Sequence, residues 1–393
     1  MGCILILSGI ITRNLYNGTM GNLSDIFCQE RAISSMQRAF DAGRMGHAYL
    51  FVGTDGVGKF TAARAWAKML LCTGKKIDES ADGKFYDSCG ACQSCRVFEG
   101  GGHPDFNEIY KELREFTKDG KGKTTPIDMP IDVIREFVIE KAAAKPAMSE
   151  YCVYVIRQAE RMNNSSQNAL LKVLEEPPKH CVIILLSSRI EKMLPTTQSR
   201  CQVVRFGPVD EERIVEHLIA KGIGGDEAKY WARFADGSLG QAIEWATLDL
   251  KDNSVYRIKN ELVEKVAKYS LADSLQLAEW MLKAAKEIGE AAARQSEKIS
   301  KSDINRRAIK GVIRMVVSVF QDAMRLGIDQ SADNLVNADQ AKEIGSLAGR
   351  IDPDTAARAV SAGYKNIGWV DASVNEKLIF EELLLNYHSS GIL

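Results

Sequence analysis

The sequence predicts an α/β domain built on a parallel sheet, followed by an all-α C-terminal part. Three observations support this fold class: a glycine-rich loop at residues 53–59 between a strand-like and a helical pattern, apolar runs that alternate with helical patterns up to about residue 207, and helical periodicity from Asp210 onward. Strands that alternate with helices indicate a mainly parallel sheet in a three-layer α/β domain.

Length and composition limit the possible classes of protein. A chain of 393 residues is expected to hold two or three domains. Its 51 basic and 52 acidic residues nearly cancel, which does not favour a free-standing nucleic-acid binder. The early apolar run at residues 3–11 is shorter than the ~18 residues that span a bilayer, and it lacks the features of a secretory signal. We therefore expect a cytoplasmic protein without a membrane partner, in which residues 1–19 are an extension before a start at Met20.

The glycine-rich loop fits a P-loop. Residues 47–52 are predicted to form a buried strand and residues 61–72 a helix, with Gly-Thr-Asp-Gly-Val-Gly-Lys between them. In such a loop, backbone N–H groups and a helix N-terminus bind phosphates, and the lysine reaches the outer ones. A Ser or Thr that ligates Mg²⁺ normally follows, but this chain has Phe60, and Thr61 is turned away by about 100°. The candidate phosphate-binding residues are Gly53, Gly56, Gly58 and Lys59.

Four of the nine cysteines lie close together in the sequence, with C-x2-C spacings that let thiolates converge on one tetrahedral ion. We predict a structural Zn²⁺ site in a module spanning residues 72–95. Four thiolates leave no open coordination position, so the site is expected to stabilise a loop and not to catalyse a reaction. A cluster of reduced thiols and a redox centre are the alternatives. The predicted ligands are Cys72, Cys89, Cys92 and Cys95.

The remaining elements of the first domain follow in order. His103 is interpreted as a structural histidine and not as a fifth metal ligand. Residues 111–126, rich in Lys, Gly and Thr, are predicted to form a solvated loop, with contact to DNA or a partner as the minority interpretation. The predicted helices span residues 24–43, 131–143 and 168–176, the last ended by two prolines. The predicted strands lie near residues 107–110, 151–156, 182–186 and 202–206.

Almost everything after Asp210 has helical periodicity, including the apolar stripe between Ile309 and Met324. We predict a P-loop domain at residues 20–207, a small helical domain at 208–250 and a helical bundle at 251–393. The apolar stripes are expected to form the core of that bundle.

Several motifs together identify a family. They are His-Ala-Tyr-Leu-Phe at 47–51, the cysteine module, Asn-Ala-Leu-Leu-Lys-Val-Leu-Glu-Glu-Pro-Pro at 168–178, and Leu-Pro-Thr-Thr-Gln-Ser-Arg-Cys at 194–201. Over about residues 22–245 the chain resembles the AAA+ clamp-loader subunits of bacterial DNA polymerase III. The resemblance implies an AAA+ P-loop domain, a helical lid and an oligomerisation collar. It also implies that Arg200, in Ser-Arg-Cys, is an arginine finger directed at the ATP of a neighbouring subunit.

Three departures from the family pattern affect the nucleotide pocket. Active members end the strand at 151–156 with Asp-Glu, where this chain has Arg157 and Gln158. Gln241 occupies the place of the lid arginine that contacts the γ-phosphate, and Phe60 replaces the Mg²⁺ ligand. We therefore expect no ATP hydrolysis and no Mg²⁺ binding. The sequence leaves open whether Lys59 still binds phosphate.

An impaired pocket combined with a retained finger is the pattern of delta-prime subunits and not of the gamma/tau motor. The resemblance then implies a non-hydrolysing subunit of the DNA polymerase III holoenzyme that joins gamma/tau and delta in a ring and helps to load the sliding clamp on primed DNA in replication. An active gamma/tau-type ATPase, a P-loop kinase-like transferase with a zinc-containing insert and a zinc redox protein are the alternatives.

Overall fold

The structure is a computed structural model that describes residues 21–80, 83–120, 127–251, 253–295, 299–329 and 334–389. The chain divides into two compact units, Met1–Asp210 and Glu211–Leu393. The expected extension at residues 1–19 lies outside the described residues. Among the residues that are described, no helix has the combination of length and apolar character that crossing a bilayer requires.

A five-stranded parallel sheet forms the centre of the first unit, in the order β4-β5-β6-β1-β7. Strands β2 and β3 form a separate antiparallel hairpin. The strands are β1 (Ala48–Val52), β2 (Lys76–Ser80), β3 (Gly83–Asp87), β4 (Phe106–Ile109), β5 (Cys152–Ile156), β6 (Cys181–Ser187) and β7 (Gln202–Arg205).

Alternate residues of each strand point to opposite faces of the sheet, and helices cover both faces. Tyr49 and Phe51 share one core with Trp66, whereas Leu50 shares the other core with Leu170. The helices are α1 (Glu30–Asp41), α2 (Lys59–Leu71), α3 (Gln93–Glu99), α4 (Ile131–Ile134), α5 (Glu140–Ala142), α6 (Asn164–Glu175) and α7 (Pro195–Gln198). The predicted three-layer α/β domain is confirmed.

Some predicted bounds differ from the structure. Helix α1 begins at Glu30 and not at residue 24, because Cys28 has a left-handed backbone (φ 55°) that separates it from a short 3-10 turn at Leu23–Asp25. Helix α6 begins four residues before the predicted start, since the side chain of Asn163 accepts a hydrogen bond from Ser166 N and caps it. The predicted helix at 131–143 is interrupted by a π-turn at Arg135–Ile139.

The prediction of a solvated loop at residues 111–126 is wrong at its start. Lys111–Phe116 form a 3-10 helix, and Lys111 is buried. Residues 121–126 lie outside the described residues. The hairpin β2–β3 was also not predicted, because its strands are short, largely exposed and rich in charged residues, so they lack the apolar alternation that indicates a strand.

The second unit is entirely helical in its described residues, as predicted. Val317 packs against Gly363, and the rings of Phe320 and Tyr387 lie 4.4 Å apart. Trp245 packs against Gly311. The division of this unit into a lid and a collar at residue 250 stays a prediction. The helices are α8 (Glu211–Ala220), α9 (Gly225–Phe234), α10 (Leu239–Ala246), α11 (Val255–Ala267), α12 (Ser274–Gln295), α13 (Lys301–Ile328), α14 (Ala341–Ala348), α15 (Pro353–Asp371) and α16 (Glu376–Ser389).

Candidate functional site

The loop between β1 and α2 has the shape that binds phosphate. Gly56 and Gly58 have φ angles of 84° and 104°, in the left-handed region that favours glycine, and Gly58 caps the N-terminus of α2. A Cβ on Gly53 would lie 2.6 Å from the carbonyl oxygen of Phe206, so only glycine fits there. The loop therefore directs backbone N–H groups and a helix N-terminus toward one point, which suits an anion.

Lys59 lies across this loop. Its Nζ donates hydrogen bonds to the carbonyl oxygens of Gly53 (2.5 Å) and Thr54 (2.7 Å), and only 7% of the residue is exposed. Burial lowers the pKa of Lys59, whereas the carboxylates of Asp55 and Glu160 oppose that shift. The ammonium is thus bonded to the carbonyl oxygens of its own loop, and a phosphate would have to compete with these acceptors for it.

The residues at the expected metal position do not fit Mg²⁺. The Arg157 guanidinium lies 4.8 Å from the centre of the Phe60 ring, and its Nη1 forms an ion pair with Glu108 Oε1 at 2.9 Å. Mg²⁺ requires oxygen ligands in an octahedral arrangement, but here a cation and an aromatic ring lie side by side. Gln158 adopts a left-handed backbone (φ 49°) and carries no charge. Phe60, Arg157 and Gln158 therefore do not provide a ligand set for Mg²⁺.

Glu160 is a carboxylate near the pocket that the sequence analysis missed as a site residue. It is 8% exposed, and Ser188 holds it by a hydrogen bond from its Oγ (2.6 Å) and a second from its backbone N (3.3 Å). The available signal was the charge of Glu160 in Ala-Glu-Arg-Met, shortly after the predicted strand at residues 151–156. Because Ser188 donates to both of its oxygens, Glu160 connects the segments that follow β5 and β6.

Arg200 lies apart from the loop, after α7 and before β7. Its Nη2 forms an ion pair with Glu175 Oε1 at 2.6 Å, and its Nη1 donates to the carbonyl oxygen of Thr196 at 3.0 Å. About a third of its side chain (34%) is exposed. The guanidinium is therefore oriented by its own unit but remains accessible from outside. The sequence analysis did not identify Glu175 as its partner.

Gln241 belongs to the second unit, near the start of α10. Its Oε1 accepts a hydrogen bond from Nη1 of Arg314 at 2.9 Å, and that guanidinium also stacks on Phe234. Within this unit Gln241 thus takes part in helix packing.

The four predicted cysteine ligands converge. Cys72 caps the C-terminus of α2 and Cys92 the N-terminus of α3, and all four Sγ atoms lie within 4.8 Å of one another. A tetrahedral Zn²⁺ with Zn–S bonds of about 2.3 Å requires Sγ–Sγ distances of about 3.8 Å. The Sγ of Cys72 lies 3.5 Å from that of Cys89 and 3.8 Å from that of Cys92, and Cys89 lies 4.0 Å from Cys95. The donor set and its spacing fit a structural zinc site.

Hydrogen bonds from the backbone favour thiolates in this cluster. Cys89 N donates to Cys72 Sγ and Cys92 N to Cys89 Sγ, both at 3.3 Å. Burial opposes ionisation of Cys92, but hydrogen bonds from Cys95 N and from Thr73 outweigh it and lower the pKa of Cys92 to about 5. Burial, together with the neighbouring Cys92 thiol, raises the pKa of Cys95 far above its usual value. A divalent cation would stabilise all four sulfurs as thiolates.

His103 is not part of the cysteine cluster. It is buried, and its Nε2 lies 2.9 Å from the Oγ of Ser94 and 3.3 Å from that of Ser149. Its Nδ1 accepts a hydrogen bond from Asp105 N at 3.1 Å. Both ring nitrogens are therefore occupied within the protein, and the interpretation as a structural histidine is confirmed.

Comparisons with known proteins point to one family. Residues 28–210 match the profile of the family described as DNA polymerase III, delta subunit. The chain is 31% identical over 226 residues to DNA polymerase III subunit tau of Escherichia coli, covering 56% of this chain and 32% of that protein. It is 31% identical over 243 residues to subunit gamma of Buchnera aphidicola subsp. Schizaphis graminum, covering 60% and 59% of the two chains.

The chain is also 27% identical over 222 residues to DNA polymerase III subunit delta′ of Bacillus subtilis, covering 56% of this chain and 60% of that protein. It thus spans from 32% to 60% of the length of these three curated relatives. Among solved structures, a DNA polymerase III gamma subunit-related protein from Thermotoga maritima matches with a TM-score of 0.44 and 15% identity, over 91% of this chain and 99% of that one.

Proposed function

We propose that this chain, whose residues 28–210 match the DNA polymerase III delta subunit family, is a non-hydrolysing, delta-prime-like subunit of a clamp loader. It completes a ring with gamma/tau and delta subunits, joined through its C-terminal helices. It presents Arg200 to the ATP of a neighbouring subunit while the sliding clamp is loaded on primed DNA in replication, and it works in the cytoplasm. The chain contacts mainly the sugar–phosphate backbone of the DNA, which suits a protein with almost balanced charge.

The proposal rests on one contrast, between the nucleotide pocket of this chain and the arginine that it would offer to the pocket of a neighbouring subunit. The pocket beside the P-loop has Arg157 against Phe60 where metal ligands are needed, and Gln158 is not a carboxylate, so the pocket lacks the metal ligands and the base that hydrolysis uses. Arg200, by contrast, is oriented and accessible. A chain with this combination can assist ATP hydrolysis in a neighbouring subunit without hydrolysing ATP itself.

The contacts of Arg200 explain how it would act. The planar guanidinium carries five donors and stays charged, so it can hold a carboxylate and a phosphate oxygen at the same time. Glu175 and the carbonyl of Thr196 fix the direction of the side chain before a neighbour arrives. Since the fork is already oriented, little side-chain entropy is lost when it meets charge that develops on the neighbour's γ-phosphate.

The cysteine cluster has a structural role in this proposal. It connects the end of α2, the helix that follows the P-loop, to the start of α3. With Zn²⁺ bound, four thiolates would hold the insert in one conformation and leave no position for a substrate.

The test is the ATPase activity of the reconstituted loader with clamp and primed DNA. Arg200→Ala is expected to slow turnover at the neighbouring site by about 10³-fold, the lower end of the effect of arginine fingers. Arg200→Lys is expected to remain impaired, because an ammonium cannot grip two phosphate oxygens in the same plane. Arg205→Ala is the matched control, since Arg205 is an exposed arginine of the neighbouring strand β7.

Two further measurements separate the rival functions. The isolated chain is expected to show no ATP turnover, and Lys59→Ala is expected to leave the turnover of the loader unchanged. Turnover by the isolated chain that Lys59→Ala abolishes would instead identify a gamma/tau-type motor. Failure to join a ring with gamma and delta would favour the transferase alternative.

A further inference from the structure

The outer edge of strand β2, in the hairpin β2–β3, is not paired with another strand in the described part of the chain. Lys76, Ile77, Asp78 and Glu79 are all exposed. Ile77 is a large apolar residue, and yet 52% of it is accessible to solvent. An exposed strand edge of this kind is a template for pairing with a further strand.

The other edge of the hairpin is closed by a side chain. Gln37 of α1 lies beside β3, where its Nε2 donates to the carbonyl oxygen of Tyr86 at 2.8 Å and its Oε1 accepts from Tyr86 N at 2.9 Å. Because Tyr86 turns its peptide groups toward Gln37, it exchanges no hydrogen bonds with Ile77, the residue that faces it on β2. The N–H and C=O groups of Ile77 therefore point away from β3, and those of Glu79 do so two residues later.

The charges along the edge of β2 are self-complementary. Residues 75–79 are Lys-Lys-Ile-Asp-Glu, so the two residues before Ile77 are basic and the two after it are acidic. When a second copy of β2 lies antiparallel with Ile77 facing its own equivalent, Lys76 faces Asp78 of that copy and Lys75 faces Glu79. The same contacts recur on the other side of the two-fold axis, as an isologous interface requires. Residues that face each other across antiparallel strands have Cβ atoms about 5 Å apart, so oppositely charged side chains can pair.

We propose that β2 pairs edge to edge with β2 of a second copy of this chain, which joins two hairpins into one four-stranded antiparallel sheet. The two Ile77 residues exchange a pair of main-chain hydrogen bonds at the centre, and their exposed side chains cover each other. The charges fix the register, because a shift by two residues would place Lys76 opposite Lys76 or Asp78 opposite Asp78. This contact involves neither Arg200 nor the C-terminal helices, so it goes beyond the proposed function and does not rest on it.

The test is sedimentation equilibrium of the full chain, with Zn²⁺ present, from about 1 to about 500 μM, the range in which small interfaces associate. Wild type is expected to change from monomer to dimer and to go no further, because pairing occupies the edge of β2 and Gln37 closes that of β3. Ile77→Pro is expected to abolish the dimer by removing an N–H that donates to the second copy. Since this N–H points away from β3, the hairpin itself is retained. Lys84→Ala is the control, because Lys84 is an exposed residue of β3 that does not face the second copy.

Charge reversal tests the register of the pairing. Lys76→Asp alone, or Asp78→Lys alone, places like charges opposite each other at two symmetric positions and is expected to weaken dimerisation at least about tenfold. An equimolar mixture of the two variants restores opposite charges at both positions, so it is expected to associate about as tightly as wild type. A mixture that associates no better than its components, a dimer that survives Ile77→Pro, or a wild-type chain that stays monomeric throughout would each overturn the proposal. Protection of β2 from hydrogen exchange that appears only when another protein is added would assign the edge to that protein and overturn it as well.

Discussion

Removing Zn²⁺ is expected to destabilise one defined part of the first unit. The four Sγ atoms lie within 4.8 Å of one another, and this grouping requires that α2 and α3 are folded. For one ion that binds only the folded protein, stability falls by about 1.4 kcal/mol for each tenfold decrease in free Zn²⁺. The decrease stops when free Zn²⁺ falls below the dissociation constant of the site.

The assay is hydrogen exchange of the full chain, read peptide by peptide at a series of buffered Zn²⁺ concentrations. The opening free energy of peptides from α2, α3 and the hairpin β2–β3 should follow that slope, since these elements carry or adjoin the ligands. Peptides from the second unit serve as an internal control and should not change.

Substitution of single cysteines checks the same reasoning. Cys92→Ser removes one ligand at the start of α3 and is expected to lose most of the bound zinc, measured as metal per chain. Cys181→Ala is the control, because Cys181 is a cysteine of β6 that does not belong to the cluster. A protein that carries no zinc when prepared without chelator, or exchange rates that do not depend on free Zn²⁺, would refute the assignment.

Two predictions concern stability in each unit. Burial lowers the pKa of His103 below its usual 6.5, against the opposing effect of Asp105. The stability that neutral His103 contributes is therefore present above about pH 6.5 and is lost as the pH falls toward the lowered pKa. In urea unfolding, the free energy of unfolding should decrease on acidification, and His103→Gln should remove this dependence. In the second unit, a Cβ at Gly311 would lie 2.1 Å from Trp245 Cη2, so Gly311→Ala should cost about 1–3 kcal/mol. Gly368→Ala, at an open position of α15, should instead stabilise by about 0.5–1 kcal/mol. Equal effects of the two alanines would contradict the packing argument.

Local patterns in the sequence were sufficient to predict the sheet and the P-loop. Buried parallel strands such as β1 and β6 are continuous apolar runs, and the loop glycines are required by backbone angles that other residues rarely adopt. The convergence of the four cysteines was equally predictable, because metal geometry restricts the spacing of such residues in a sequence. Each of these features depends on residues that are close in the sequence.

The partners of the site residues were not predictable in the same way. Glu108, Glu160 and Glu175 meet Arg157, Ser188 and Arg200 only after the strands align, and a surface glutamate has the same local pattern as one that forms a specific pair. The 3-10 helix at Lys111–Phe116 was missed for a related reason, since its charged residues indicate a solvated loop until tertiary packing buries Lys111. Contacts between residues that are distant in the sequence are therefore the part of the structure that local patterns did not predict.

Phe60 and Arg157, two of the departures from the family pattern, are in contact with each other. If the guanidinium and the ring stabilise each other, the two substitutions are one coupled replacement of the metal site. A double-mutant cycle with Phe60→Leu and Arg157→Gln tests this by urea unfolding of the full chain. We expect a coupling free energy of about 0.5–1 kcal/mol, typical of a cation–π pair at a partly exposed position. Strictly additive effects would mean that the guanidinium and the ring do not stabilise each other. Coupling would instead indicate that Phe60 and Arg157 act as one packed unit at the place where a metal site is expected.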